Sequence, residues 1–327
     1  MMPLDRDTAI AGVVPTVSVV MSVYNGASTL AATIESVLAQ TGVTFELIIV
    51  DDGSTDGSSA IISEFAARDF RIRVLTQANQ GLTCALVAGC SLARGRYIAR
   101  QDCGDLSMPS RLRRQAACLD TQEGVVLTSC ATRFMGPQSE FLYTVVQTSS
   151  QLMLSLRGQS PETLRGPSSH GSTMFRRDAY EKVGGYRPEF RVAQDLDLWT
   201  RLVEIGACVA IEDPLFEARL EPGGISASKR EEQVEATRII AECVKHRRNG
   251  GTDKAILEKW LQSRSRLDGT RSRPKSSTDA SFYYFIGSLL QDKQPAAARS
   301  YFRRALEASP FHFRSLAKLL LSAARMK

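Results

Sequence analysis

Two apolar runs, each ending at a cluster of turn-forming residues, limit what this chain can fold into. Val17 to Val23 reads V-S-V-V-M-S-V and stops at Tyr24-Asn25-Gly26. A β-branched run without polar alternation marks a strand covered on both faces, as in a parallel sheet. Leu30, Ile34, Val37 and Leu38 then recur at helical spacing, with Ser28 in the N-cap position and Gly42 as the stop. Phe45 to Val50 (F-E-L-I-I-V) is the next run, and it meets Asp51-Asp52-Gly53-Ser54-Thr55-Asp56-Gly57. This is a β-α-β unit, and its polar loop stands where open parallel sheets bind ligands, at the carboxyl ends of the strands.

The alternation goes on with helices near Ser58 to Ala67 and Leu82 to Ala93, and strands at Ile72 to Leu75 and Tyr97 to Arg100. The last strand runs into another acidic loop, Gln101-Asp102-Cys103-Gly104-Asp105. A helix at Ser110 to Asp120 and a strand at Val125 to Thr128 follow, and residues 136–171 carry no clear period. Thr173 to Phe175 reads as a strand and Asp178 to Val183 as a short helix, with Gln194 to Ile205 a clear amphipathic helix. The expected class is α/β, a doubly wound, mostly parallel sheet with a small C-terminal α-helical extension. The boundaries read from composition are a tail over 1–14, a main domain over 15–228, a helical extension over 229–268 and a linker over 269–280. A small unit over 281–327 closes the chain, its helices patterned like a single tetratricopeptide-type pair.

The net charge of +6 is unevenly spread, since residues 229–327 hold 21 Lys and Arg against 10 Asp and Glu. A basic tail suits an anionic membrane surface or an acidic acceptor, and a plain solvated helical surface accounts for it at least as well. No aromatic-basic interleaving marks a nucleic-acid module, so no nucleic-acid partner is expected. The seven cysteines lack C-x-x-C spacing, which argues against zinc knuckles and a disulfide framework. No apolar run approaches the roughly 20 residues that cross a bilayer, and acids occupy the N-terminus where a leader would carry bases. The expected location is the cytoplasm, and peripheral contact at the inner face of the membrane through the basic tail is left open. A Rossmann dehydrogenase and a P-loop NTPase are disfavoured, because neither G-x-G-x-x-G nor G-x-x-x-x-G-K-[ST] is present.

Four stretches fall in order over about 200 residues: Val17 to Gly26, Val50 to Asp56, Ala93 to Arg111 and Val183 to Leu202. Together they resemble family-2 glycosyltransferases with the GT-A fold. The resemblance implies a nucleoside-diphosphate sugar donor, UDP-linked by preference, a divalent Mg or Mn ion, and transfer with inversion to a sugar, lipid-linked or protein acceptor. Asp52 becomes the candidate base-reading carboxylate, with Asp51 beside it and Tyr24 and Asn25 against the nucleoside. Turn formation is the competing role for all four. Asp102 and Asp105 frame the expected diphosphate and metal site, with Asp102 near ribose or metal. The family's D-x-D pattern is broken there by Gly104, which has no ligand atom. Asp195, in Gln194-Asp195-Leu196, becomes the candidate general base; a helix-stabilising acid is its alternative. Asp197, Leu198 and Trp199 read as structural, and Gly184-Gly185-Tyr186 as a tight turn aiming the Asp195 helix. His170 reads equally as an acceptor-side or a structural residue. Arg100 and Arg111 read as surface-paired cations, with phosphate neutralisation as the alternative. The competing function is a degenerate nucleotide-sugar-binding or scaffolding protein, because Gly104 and Gln194 replace two of the family's acids.

Overall fold

The computed structural model describes residues 14–224, 229–265 and 275–324. The chain divides into two compact units, one drawn from Met1–Arg133, Thr144–Ala218 and Glu235–Leu257, the other from Phe134–Tyr143, Arg219–Val234 and Glu258–Lys327.

Four strands, β1 (Val17–Val23), β2 (Phe45–Asp51), β3 (Ile72–Thr76) and β4 (Tyr97–Asp102), form the parallel half of the sheet. The other strands are β5 (Leu106–Ser107), β6 (Val125–Met135), β7 (Phe141–Val145), β8 (Met174–Arg176) and β9 (Ala207–Arg219). The order is β3-β2-β1-β4-β8-β6-β9-β5, with β7 on β6. The β4–β8, β6–β8 and β5–β9 pairs are antiparallel.

Because every residue of β2 and nearly every residue of β1 is buried, both faces of these strands need cover. Val19, Met21, Leu47 and Ile49 point into one core with Leu30 and Ile34 of α1 (Ala27–Leu38) and Ile62 of α2 (Ser58–Arg68). The alternate residues Val20, Ile48 and Val50 face α3 (Leu82–Ser91), whose Gly89 lies against all three. The sheet is therefore doubly wound, as the uninterrupted apolar runs imply. Register brings the strand ends level: Ser22 pairs with Val50 and Asp102, and Val23 with Asp51. Three loops, after β1, β2 and β4, thus start side by side at one edge.

Beyond the parallel half come α4 (Arg111–Thr121), α5 (Ser149–Leu156), α6 (Arg177–Lys182), α7 (Gln194–Ile205) and α8 (Arg230–Arg248). They are followed by α9 (Lys254–Ser265), α10 (Lys275–Leu290), α11 (Pro295–Ala308) and α12 (Phe313–Ala324). In the second unit Ile286 and Leu290 of α10 pack with Ala298, Tyr301 and Phe302 of α11, and Leu142 of the β6–β7 hairpin joins them.

Three sequence expectations need correction. Ser28 is not the cap of α1: the N-cap is Gly26, and the Asp56 carboxylate accepts from the Ala27 N–H at 3.1 Å from across the β2–α2 loop. The linker expected over 269–280 ends early, because α10 begins at Lys275; residues 266–274, like most of the 1–14 tail, lie outside the described residues. Residues 136–171 hold β7 and α5, the latter closed by a capping box between Thr148 and Gln151.

Candidate active site

The loops after β1 and β2 are laced together by side chains. Asn25 adopts a left-handed conformation (φ 53°), and its Oδ1 accepts from the Thr55 N–H at 2.8 Å while Ser54 Oγ accepts from the Asn25 N–H. Asp51 and Asp52 are both buried. Asp51 accepts from the Ser54 N–H at 3.0 Å and from the Ser59 hydroxyl, and these bonds hold its carboxyl below the usual range against the opposing effect of burial. Asp52 reaches the β3–α3 loop, where Gln77 Nε2 and the Gln80 N–H donate to Oδ1 at 2.7 and 2.9 Å and the Gly81 N–H donates to Oδ2 at 2.8 Å. Both carboxylates organise loops, the turn-forming role the residue types favour. Tyr24 and Asn25 are exposed at this edge, as are Thr55 and Asp56 of the neighbouring loop.

At the end of β4 an arginine changes the expected picture. Arg100 is fully buried, donates to the carbonyls of Val20 and Gln101, and pairs with Asp102 Oδ1. Arg111, at the start of α4, is also fully buried, lies over the Phe216 ring, and donates to the carbonyls of Gly171 and Arg100. The expectation of surface pairing for these two arginines is wrong. Burial of a guanidinium costs several kcal/mol unless its donors are met; four carbonyls and the Asp102 carboxylate take donors from the terminal nitrogens, while the Nε atoms of both arginines are buried without a hydrogen-bond partner. Burial pulls Arg111 down to about 10, so it stays cationic at neutral pH.

Asp102 keeps a third of its side chain exposed, and its Oδ2 faces Gly171, where a Cβ would lie 3.2 Å away. Asp105 is nearly buried, its N–H donating to the Asp102 carbonyl and its own carbonyl accepting from Gln101 Nε2. Gly104 between them has φ 101°, in the left-handed region that side chains avoid, and its N–H donates to Thr33 Oγ1. The loss of a carboxylate at this position thus goes with a backbone that only glycine adopts without strain. Among the described residues no group of three His, Cys, Asp or Glu side chains is placed to hold a metal ion. What remains fits an ion carried in by a diphosphate, since Mg²⁺ needs only one or two protein carboxylates and takes its other ligands from phosphate and water.

The turn Gly184-Gly185 is left-handed at both residues, and Ala193, also left-handed (φ 55°), caps α7. Non-glycine residues in this conformation are strained by about 1–2 kcal/mol, and the strain falls directly before Gln194 and Asp195. Asp195 lies in the first turn, partly buried, with Oδ1 accepting from the Leu196 N–H at 2.8 Å. Burial raises its carboxyl to about 6, the Asp102 carboxylate adds to the rise, and Arg100 opposes it. Asp195, Asp102 and Arg100 therefore share one electrostatic neighbourhood. His170 joins it as a neutral ring: burial, then Arg100, pull it down to about 3, and its Nε2 lies 2.6 Å from the Tyr186 hydroxyl. Asp197 is sealed between Arg187 and Arg201 and is structural, as its place on the helix suggests.

The profile of glycosyl transferase family 2 matches residues 18–184. The chain belongs to glycosyl transferase family 2. The transferase is 35% identical over 196 residues to EpsE of Bacillus subtilis, named as a glycosyltransferase, over 59% of this chain and 68% of that one. Its fold is shared with residues 1-349 of S. aureus TarS, solved with UDP-GlcNAc, at a TM-score of 0.55 and 16% identity over 94% of this chain and 89% of that solved chain. It is shared too with the mannosyltransferase PcManGT of Pyrobaculum calidifontis, solved with GDP-Man and Mn²⁺, at 0.52 and 18% over 94% and 88%.

Sequence reading missed the inward turn of Arg100 and Arg111 and the service of Gln77 to Asp52. Arg100 had a signal, since it sits inside a strand whose neighbours Ile98 and Ala99 are apolar on both faces. Gln77 had none, because its partner is 25 residues away.

Proposed function

We propose that this family-2 transferase moves a sugar from a nucleoside-diphosphate sugar to an acceptor hydroxyl with inversion, using Asp195 as general base. The observation that carries this reading is the Asp195 carboxyl, raised to about 6 beside Asp102 at the strand-end edge. A base of this pKa is mostly ionised at neutral pH and still takes up a proton readily, the compromise that general-base catalysis favours. In the proposed step the acceptor oxygen attacks the anomeric carbon, its proton passes to Asp195, and the bond to the diphosphate breaks on the opposite face. A single displacement of this kind inverts the centre.

The donor class is supported by the neighbours solved with UDP-GlcNAc and GDP-Man. On this reading Tyr24 and Asn25 lie against the nucleoside, and Asp51 holds the loop that receives it. Asp52 Oδ2, with one bond from Gly81, has a lone pair left for the N3–H of a uracil-type base. Asp102 Oδ2, with Asp105 beside it, would hold a Mg²⁺ or Mn²⁺ ion that neutralises charge on the leaving diphosphate. Arg100 anchors the other oxygen of Asp102 and keeps the carboxylate aimed outward.

A panel of UDP-, GDP- and dTDP-sugars with sugar, lipid-linked and protein acceptors tests this. Asp195→Asn is expected to lower turnover by two to four powers of ten while donor binding, read by calorimetry, is unchanged. Loss of binding together with turnover would remove Asp195 from the role of base, and donor binding by wild type without turnover on any acceptor would point to a binding protein.

A further inference from the structure

The last helix of the second unit turns its apolar face outward. On α12, Phe313, Leu316, Ala317, Leu320 and Leu321 recur at the spacing of one helical face, and all five are exposed. Phe313, Leu320 and Leu321 are 74%, 64% and 63% exposed, and Phe311, just before the helix, is 79% exposed. The opposite side does the packing: Ser315 is fully buried, and Leu319 lies against the core of α10 and α11. The stripe is thus a second apolar face on a helix whose structural face is already used, and patches of this kind mark interaction surfaces.

Charge decides what fits it. Residues 299–327 carry seven Lys and Arg and a single acid, Glu307. Arg314 is exposed on α12, and Lys318 reaches Gln291 Oε1 at 2.7 Å. Two copies of this chain meeting face to face would oppose like charges with almost no acids between them. Nor does α12 cross a bilayer: its 12 residues span about 18 Å of the roughly 30 Å required. An apolar stripe flanked by cations matches a surface with anionic headgroups over hydrocarbon, on which such helices lie flat.

We infer that α12 is a membrane-surface helix, docking on anionic lipid through Phe311, Phe313, Leu316, Leu320 and Leu321. The inference stands apart from the catalytic reading, since it concerns no residue of the strand-end edge. The full chain is mixed with vesicles of phosphatidylglycerol and phosphatidylcholine, or of phosphatidylcholine alone, and bound protein is measured by flotation at low and high salt. The expected result is binding to the anionic vesicles that weakens with salt. The double variant L320E/L321E should lose more than tenfold of it, and R314Q/K318Q roughly fivefold per charge removed. Equal binding to both vesicle types, or no loss in L320E/L321E, overturns the inference. So does a dimer of the wild type that L320E/L321E dissolves, which assigns the stripe to a second copy. A marked drop in the unfolding midpoint of L320E/L321E would show that the chain itself covers the stripe, and it too overturns the inference.

Discussion

A carboxylate in the first turn of a helix normally gains from the positive end of the backbone dipole, by about 0.3–1 kcal/mol. At Asp195 burial and the nearby Asp102 carboxylate outweigh that gain and the pull of Arg100, and the group sits at about 6. A raised carboxyl means that the folded chain holds a proton the unfolded chain has lost, between about pH 4 and 6. Stability attached to this group is full below pH 4 and falls as pH rises to 6. Above pH 6 the charged Asp195 costs on the order of 3 kcal/mol. Asp195→Asn keeps the acceptor for the Leu196 N–H and removes the charge. It is therefore expected to unfold at a higher temperature than wild type at pH 8, with the gap closing at pH 4, as scanning calorimetry at the two pH values will show. The position of Asp195 is legible in the sequence from the D-L-W helix it opens. Its elevated pKa is not, because Arg100, Asp102 and the burying groups converge on it from other elements.

At the scale of elements, local period carried the reading well where the period is long. β1 and α7 run over the residues expected from pattern alone. β5 and β9 were invisible, since β5 has two residues and pairs with a partner about 110 positions away, a distance that leaves no mark on nearby residues. The turn after β4 shows what a glycine can hide. A Cβ at Gly104 would meet only Thr29 Oγ1, at an ordinary 3.5 Å, so space is not the obstacle to substitution; the φ of 101° is. Gly104→Ala is expected to lower stability by about 1–2 kcal/mol through backbone strain alone, measured as a shifted urea midpoint with an unchanged slope. Gly104→Asp bears the same strain, and for this reason adding the missing acid does not by itself rebuild a metal-binding loop.

The molecule as a whole is divided differently from its sequence. The second unit takes in residues 134–143 from the middle of the chain, which composition leaves inside the catalytic segment. Leu142, 1% exposed, packs with Ile286, Leu290 and Phe302, the Leu142 carbonyl accepts from Lys293 Nζ, and Tyr301 donates to Glu140 at 2.8 Å. A chain ended at Leu257 strips the cover from Leu142 and Tyr143, and light scattering should show it aggregating at concentrations where the full chain stays monodisperse. A composition scan misses this boundary because the hairpin is polar at its turn and its apolar residues, Phe134 and Met135 on one strand and Phe141 to Tyr143 on the other, form runs too short to announce a separate core. The same hairpin governs how this transferase can be recombined with its relatives. A chimera that exchanges the C-terminal helices at one crossover leaves a foreign loop beneath them. Only one that carries residues 134–143 along with the helices inherits a matched pair of surfaces.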